Sequence, residues 1–281
     1  MSTPDGLPPL REVIRSAGLT AKKSLGQNFL LDLNLTRRIA HKAGPLDGVT
    51  VVEVGPGPGG LTRALLMEGA KKVVAIERDA RCLPALHDIS CAYPGRLEIL
   101  NEDAREIDYG ALSLPSPARL VSNLPYSVGT SLLVGWLKSL PGPPWFDRLV
   151  LMFQREVAER IVAAPGTKDY GRLSILAQWR ADARILFSLP AAAFTPKPKV
   201  DSALVQLVPR DRPEPKCDVA RLERVTAAAF GQRRKMLRTS LRQITPDAEG
   251  LLKALGLNPE ARAETLKIED FCRIANALGD R

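Results

Sequence analysis

Residues 48–70 read GVTVVEVGPGPGGLTRALLMEGA, and this stretch decides how most of the chain folds. The β-branched run 48–55 is apolar on both alternations and stops at a glycine, so it predicts a buried strand. Helical spacing begins at once after it, with Leu61, Leu65 and Leu66 on one face of 59–70. A strand that enters a helix through a glycine turn opens a βαβ unit, and the sequence on the C-terminal side repeats the pattern. KVVAIERD (72–79), RLEILNED (96–103) and ARLVSN (118–123) predict three further strands, with helices over 80–92 and 131–140. DRLVLMFQ (147–154) predicts the next strand, followed by helices over 155–163 and 172–180. The last two strands, 183–189 and 202–209, are joined by PAAAFTPKPKVD, which suits a long hairpin better than a crossover helix. The expectation is an α/β, Rossmann-like sheet, mostly parallel with its last strand antiparallel, and helices on both faces. PRDRPEPK (209–216) reads as a linker. Only helical patterning follows it, so the expected division is a main domain over 1–210, with an N-terminal extension 1–20, and a small all-helical domain over 217–281.

Bulk properties narrow the function. The chain has 281 residues, 45% hydrophobic and 25% charged, which is ordinary for a globular protein. No apolar run approaches the roughly 20 residues that span a bilayer, and the N-terminus lacks an apolar signal core, so a cytoplasmic location is expected. Cys82, Cys91, Cys217 and Cys272 form no Cys-x-x-Cys pair, which speaks for free thiols and against a metal site. His41 and His87 are the only histidines, leaving little material for imidazole acid–base chemistry. A formal charge of +9 favours an anionic partner, with nucleic acid the commonest.

The glycine turn EVGPGPGGLT (53–62) lets a ligand approach main chain without meeting side chains, and Gly55, Gly57 and Gly60 satisfy G-x-G-x-x-G between a strand and a helix. Glu77 closes the second strand, where a carboxylate can accept both hydroxyls of a ribose. A dinucleotide or S-adenosylmethionine fits this much. Asp103, at the third strand end, tilts the choice toward S-adenosylmethionine, because such sites use an acid there for the adenine amine. A simple helix cap or a solvated strand end would explain either acid taken alone.

Four blocks together resemble the ribosomal RNA adenine dimethyltransferase family, and its bacterial small-subunit branch in particular. They are KKSLGQNFLLD (22–32), EVGPGPGGLT (53–62), VSNLPYS (121–127) and FTPKPKVDSALVQL (194–207). The resemblance covers most of residues 20–245 and implies a class I methyltransferase sheet. It implies S-adenosylmethionine as cofactor and two adjacent adenosines near the 3′ end of small-subunit RNA as substrate, dimethylated at N6. By the same resemblance, Asn28, Leu30, Gly55 and Gly57 contact the cofactor, Glu77 its ribose and Asp103 its adenine, while Asn123 borders the methyl-donor end. The implied partner is the immature small ribosomal subunit, met by a monomer without metal. Residues 1–20 and those after about 245 match nothing in the family pattern.

LVSNLPYS (120–127) taken alone is a turn after a strand. An adenine amine, however, is a poor nucleophile until its lone pair is localised. The Asn123 amide oxygen and the Leu124 carbonyl can each accept an amine hydrogen, Pro125 stiffens the turn, and Tyr126 offers a face for stacking the base. Phe194 is a second expected stacking face, with a core position as the competing reading. GQRRKMLRTSLR (231–242) carries Arg233, Arg234, Lys235, Arg238 and Arg242 with no acid, and continuous helix would align Arg234, Arg238 and Arg242. An RNA phosphate surface is expected there, extended around the pocket by Lys22, Lys23, Lys197 and Lys199.

Overall fold

The computed structural model describes residues 3–20, 26–112, 114–139 and 145–279; Lys22 and Lys23 lie outside them. In chain order the elements are α1 (Leu10–Ser16), β1 (Phe29–Leu30), α2 (Leu33–Lys42), β2 (Thr50–Val54), α3 (Gly60–Met67) and β3 (Lys72–Ile76). Then come α4 (Leu83–Ala92), β4 (Leu97–Leu100), β5 (Ala118–Ser122), α5 (Gly129–Lys138), β6 (Arg148–Gln154), α6 (Arg155–Ile161) and α7 (Arg172–Arg180). The chain continues through β7 (Ala181–Leu189), β8 (Phe194–Thr195) and β9 (Ser202–Pro209). Four helices follow: α8 (Val219–Gly231), α9 (Leu237–Ser240), α10 (Ala248–Ala254) and α11 (Ile268–Ala277).

Seven strands form one sheet in the order β4-β3-β2-β5-β6-β9-β7. β2 runs parallel to β3 on one side and to β5 on the other, and β4 and β6 extend the parallel run. β9 enters antiparallel against β6, with Leu151 opposite Val205, as the alternating pattern led one to expect. All five residues of β2 are buried, because parallel strands covered on both faces have no solvent side. Its core partners include Leu61, Leu65, Val73, Val121 and Val150. Strand order reverses direction at β2, and a crevice opens beyond the carboxyl ends of strands at such a point. Gly55 follows β2, Glu77 follows β3, Asp103 follows β4 and Asn123 follows β5, so all four face that crevice end of the sheet.

By its contacts the chain forms two compact units. The first comprises 1–133, 143–158 and 184–209, and the second 134–142, 159–183 and 210–281. In the second unit, α8 and α11 pack through Phe230 and Phe271, whose ring centroids lie 5.7 Å apart, and Tyr170 meets Phe230 at 6.2 Å. The expected helix over 231–242 is interrupted: α8 ends at Gly231 and α9 starts at Leu237, with turns between. Arg234 and Arg238 therefore do not share one helical face.

The N-terminal extension is an integral piece of the first unit. Arg63 on α3 is 3% exposed, and its guanidinium holds the Asp5 carboxylate through two contacts at 2.6 and 2.7 Å. It donates as well to the Pro8 carbonyl and the Thr3 hydroxyl. Burial alone would raise the Asp5 pKa; hydrogen bonds from Arg63 and Thr3, with the guanidinium charge, outweigh that and lower it. Leu10 is thereby seated beside Gly60, closing one side of the crevice.

Candidate active site

A cavity of about 390 Å³ occupies the crevice, and its wall is drawn from the ends of four strands together with the 26–30 lead-in. Asn28, Leu30, Gly55, Gly57, Glu77, Asp103, Asn123, Leu124 and Tyr126 all line it, so residues far apart in sequence converge on one cavity. Gly55 and Gly57 have φ of +68° and +57°, where side-chain-bearing residues are strained. A Cβ at Gly57 would also stand 3.0 Å from the Phe29 ring.

Glu77 shapes that turn directly. One carboxylate oxygen accepts the Gly57 N–H at 2.8 Å and the other the Asp79 N–H at 2.7 Å. The Arg78 main chain bonds the carboxylate as well, which still leaves it acceptor capacity for a ligand hydroxyl. Burial raises the Glu77 pKa, against the pull of the main-chain donors at Asp79, Gly57 and Arg78. Asp79, in turn, anchors the lead-in by accepting from the Gln27 amide at 3.0 Å, and Arg81 holds its pKa down at about 2. Behind the turn lies Glu53, 1% exposed, whose carboxyl accepts the Thr62 hydroxyl at 2.6 Å. Burial lifts the Glu53 pKa to about 8, opposed by the Thr62 bond and reinforced by the charge of Glu77.

The turn after β5 is tied to the lead-in. Asn123 Nδ2 donates to the Asn28 carbonyl at 3.0 Å, which fixes the amide plane and leaves Oδ1 as its acceptor side. Main-chain bonds from Val128 and Gly129 go to the Pro125 carbonyl; among the described residues, none uses the Leu124 carbonyl. Tyr126 is half-buried, and its hydroxyl pairs with the Ser202 hydroxyl on β9, which orients the ring. Burial raises the Tyr126 pKa, so the phenol stays neutral in the ordinary range. Asn123, Leu124 and Tyr126 together line this end of the cavity.

Phe194 departs from the expectation. It is 3% exposed, pairs with Leu30 in the β1–β8 ladder, belongs to the core and does not line the cavity. The competing core reading describes its place, since the two-residue ladder covers it. Asp103 does line the cavity, yet its carboxylate is engaged by Arg105 and by Arg78, and the Arg105 contacts depress its pKa to about 2. Of the basic residues, Lys197, Lys199, Arg234, Lys235 and Arg242 are exposed. Arg238 faces Glu249 at 3.6 Å and Glu260 at 3.4 Å, and Arg233 faces Glu264 at 3.9 Å. The local sequence lacks acids, but the fold supplies them. Leu10, Arg63, Glu53 and Arg105 were not singled out from sequence; the acidic start of the glycine turn was the one visible signal, at Glu53.

Comparison with known proteins agrees with this geometry. A ribosomal RNA small subunit methyltransferase A of Azorhizobium caulinodans is 62% identical over 279 residues, 99% of this chain and 96% of that protein. A solved dimethyladenosine transferase from Plasmodium falciparum is 24% identical with a TM-score of 0.71, covering 86% of this chain and 96% of its own; it speaks for the fold. The solved 23S rRNA methyltransferase ErmE is 28% identical with a TM-score of 0.66, covering 89% of this chain and 99% of its own. A family model for ribosomal RNA adenine dimethylases matches residues 18–280, and with the strand-end acids and the Asn-Leu-Pro-Tyr turn in one cavity, the chain belongs to that family.

Proposed function

We propose that this protein methylates the N6 amines of two adjacent adenosines near the 3′ end of 16S rRNA, giving N6,N6-dimethyladenosines during small-subunit assembly. The observation that carries the reading is the Asn123 amide, pinned by the Asn28 carbonyl at the wall of the cavity that also holds Glu77 and Asp103. The likeness in sequence and length to a protein named a small-subunit methyltransferase supports this RNA over others.

The residues fit S-adenosylmethionine. A buried carboxylate stands at Glu77, main chain is laid bare at Gly55 and Gly57, and a second acid stands at Asp103. When bound, S-adenosylmethionine supplies an electrophilic methyl on a sulfonium. Asn123 Oδ1 and the Leu124 carbonyl accept the two hydrogens of the target amine, localising its lone pair. Pro125 fixes their spacing, so the acceptors are in place before the base arrives. Tyr126 stacks on the flipped base, a contact worth about 1–3 kcal/mol. A loop or single strand suits this pocket, because unstacking costs least there. The methylated nitrogen becomes acidic once it carries charge, so water or a carbonyl takes its proton and no dedicated base is required. Exposed Arg234, Lys235 and Arg242, with Lys197 and Lys199, bind phosphates. We place the protein in the cytoplasm, acting as a monomer.

Mass spectrometry of small-subunit RNA after incubation with the purified protein and S-adenosylmethionine tests the proposal. Two dimethyladenosines in one 3′-terminal fragment are expected. Methylation confined to large-subunit RNA, or none on immature small subunits, would overturn it.

A further inference from the structure

Asp103 is saturated. Its Oδ1 accepts the Arg105 main-chain N–H and Nε, both at 3.0 Å, while its Oδ2 accepts Arg105 Nη2 at 2.6 Å and Arg78 Nη1 at 3.2 Å. A carboxylate offers about four lone-pair sites, so these four donors leave none open. An amine that is to donate to Asp103 must therefore take the place of a donor already there. The main-chain donor is fixed by the turn, but the two guanidiniums sit on flexible side chains that are 51% (Arg105) and 59% (Arg78) exposed. Water can receive them at little cost. The Asp103 side chain is only 16% exposed and stays in the cavity wall.

We infer that Arg105, with Arg78 behind it, is an ion-pair gate on the adenine subsite, competing with the purine amine for Asp103 and so setting cofactor affinity. The inference rests on the reading of Asp103 as the adenine acceptor. It makes Arg105 a positioning and specificity-determining residue, since it acts on the cofactor through Asp103. A purine without an amine has no need of that acceptor and does not contest the pair. The gate thus bears on amine-carrying purines alone, and it weakens as salt screens the exposed charges.

The test is a titration of the full chain with S-adenosylhomocysteine and with its analogue carrying hydrogen in place of the 6-amino group, in about 20 mM and about 300 mM salt, where screening is weak and strong respectively. Arg105→Ala is expected to bind S-adenosylhomocysteine about three- to fivefold more tightly at low salt, the scale of an exposed ion pair. Binding of the deamino analogue should not change. Wild-type affinity for S-adenosylhomocysteine should rise with salt, and that of Arg105→Ala should rise less, because only Arg78 is left to be screened. Unchanged or weaker binding by Arg105→Ala overturns the gate, as does equal tightening of both ligands, which marks steric crowding instead. Asp103→Ala tests the underlying reading separately: it should erase the preference for the amine-bearing ligand. A preference that survives this change places the adenine elsewhere and removes the reading itself.

Discussion

Replacing Asp5 by Asn should release the N-terminal segment while leaving the sheet folded. The substitution keeps Oδ1 for the Thr3 hydroxyl and the Leu7 N–H, but removes the charge and replaces Oδ2, the acceptor of Arg63 Nε, by an amide NH2. Its partner, Arg63, then keeps a full positive charge with the side chain 4% exposed, against a carboxylate site that was 1% exposed. Breaking a buried pair from one side costs about 3–5 kcal/mol. What else anchors residues 3–16 is smaller: Leu10 is the buried apolar residue of α1, and burying one leucine contributes about 1.5–3 kcal/mol. Leu7 is only partly buried, and buried Leu19 lies beyond the part that opens. Detachment of the segment is therefore the cheaper response, since it lets water reach the guanidinium. Arg11 and Arg15 on α1 make the opening measurable by trypsin under native conditions. Cleavage after them should accelerate about a hundredfold when it follows the open population. The melting temperature should change little, and cofactor affinity should fall because Leu10 leaves the cavity wall. Asp5→Leu with Arg63→Met should restore slow cleavage, because an apolar pair carries no stranded charge. Wild-type cleavage rates in Asp5→Asn would refute the reasoning, and so would a lowered melting temperature with α1 still protected.

Three further outcomes follow from the site. Asn123→Ala should lower the rate of methyl transfer about a hundredfold, the loss typical of a preorganised polar contact, with a smaller effect on cofactor binding; a loss of kcat under tenfold would remove Asn123 from its role. Glu53 has a folded pKa of about 8 against 4.5 unfolded, so its contribution is full below 4.5 and is lost as pH rises through 8. Thermal melts should thus show wild type losing stability relative to Glu53→Gln as pH rises from 4.5 to about 8 and levelling off above that, and parallel pH profiles would contradict a neutral Glu53. Arg234→Ala should reduce the slope of log affinity for RNA against log salt by about 0.7–0.9, and a slope equal to wild type would show that Arg234 meets no phosphate.

The sheet was legible because its information is local. Each strand is a compact apolar run, and the glycine turn announces where β2 gives way to α3. The convergence of Glu77, Asp103 and Asn123 followed from that, since parallel strands place their carboxyl ends together. What escaped depends on pairings far apart in sequence. Arg63 reads as one more polar residue on an amphipathic helix until Asp5, 58 positions earlier, is laid against it. The 231–242 stretch has helical composition throughout, yet the helix breaks there and Leu237 and Arg238 bond their N–H groups to the Ala261 and Pro259 carbonyls instead. Arg105 lies two residues from Asp103, where only side-chain geometry shows that it fills the acceptor.

The antiparallel strand β9 has a consequence for how the protein is made. It lies between β6 and β7, although both precede it in the chain. The strands β2 to β5, which carry the glycine turn, Glu77 and Asp103, can pair as soon as residue 122 has been added. Tyr126 must wait for Ser202, 76 residues downstream, before its hydroxyl has a partner. On a translating ribosome the glycine turn and the strand-end acids can therefore be in place while the lead-in still waits for β8 and the base-gripping turn for β9.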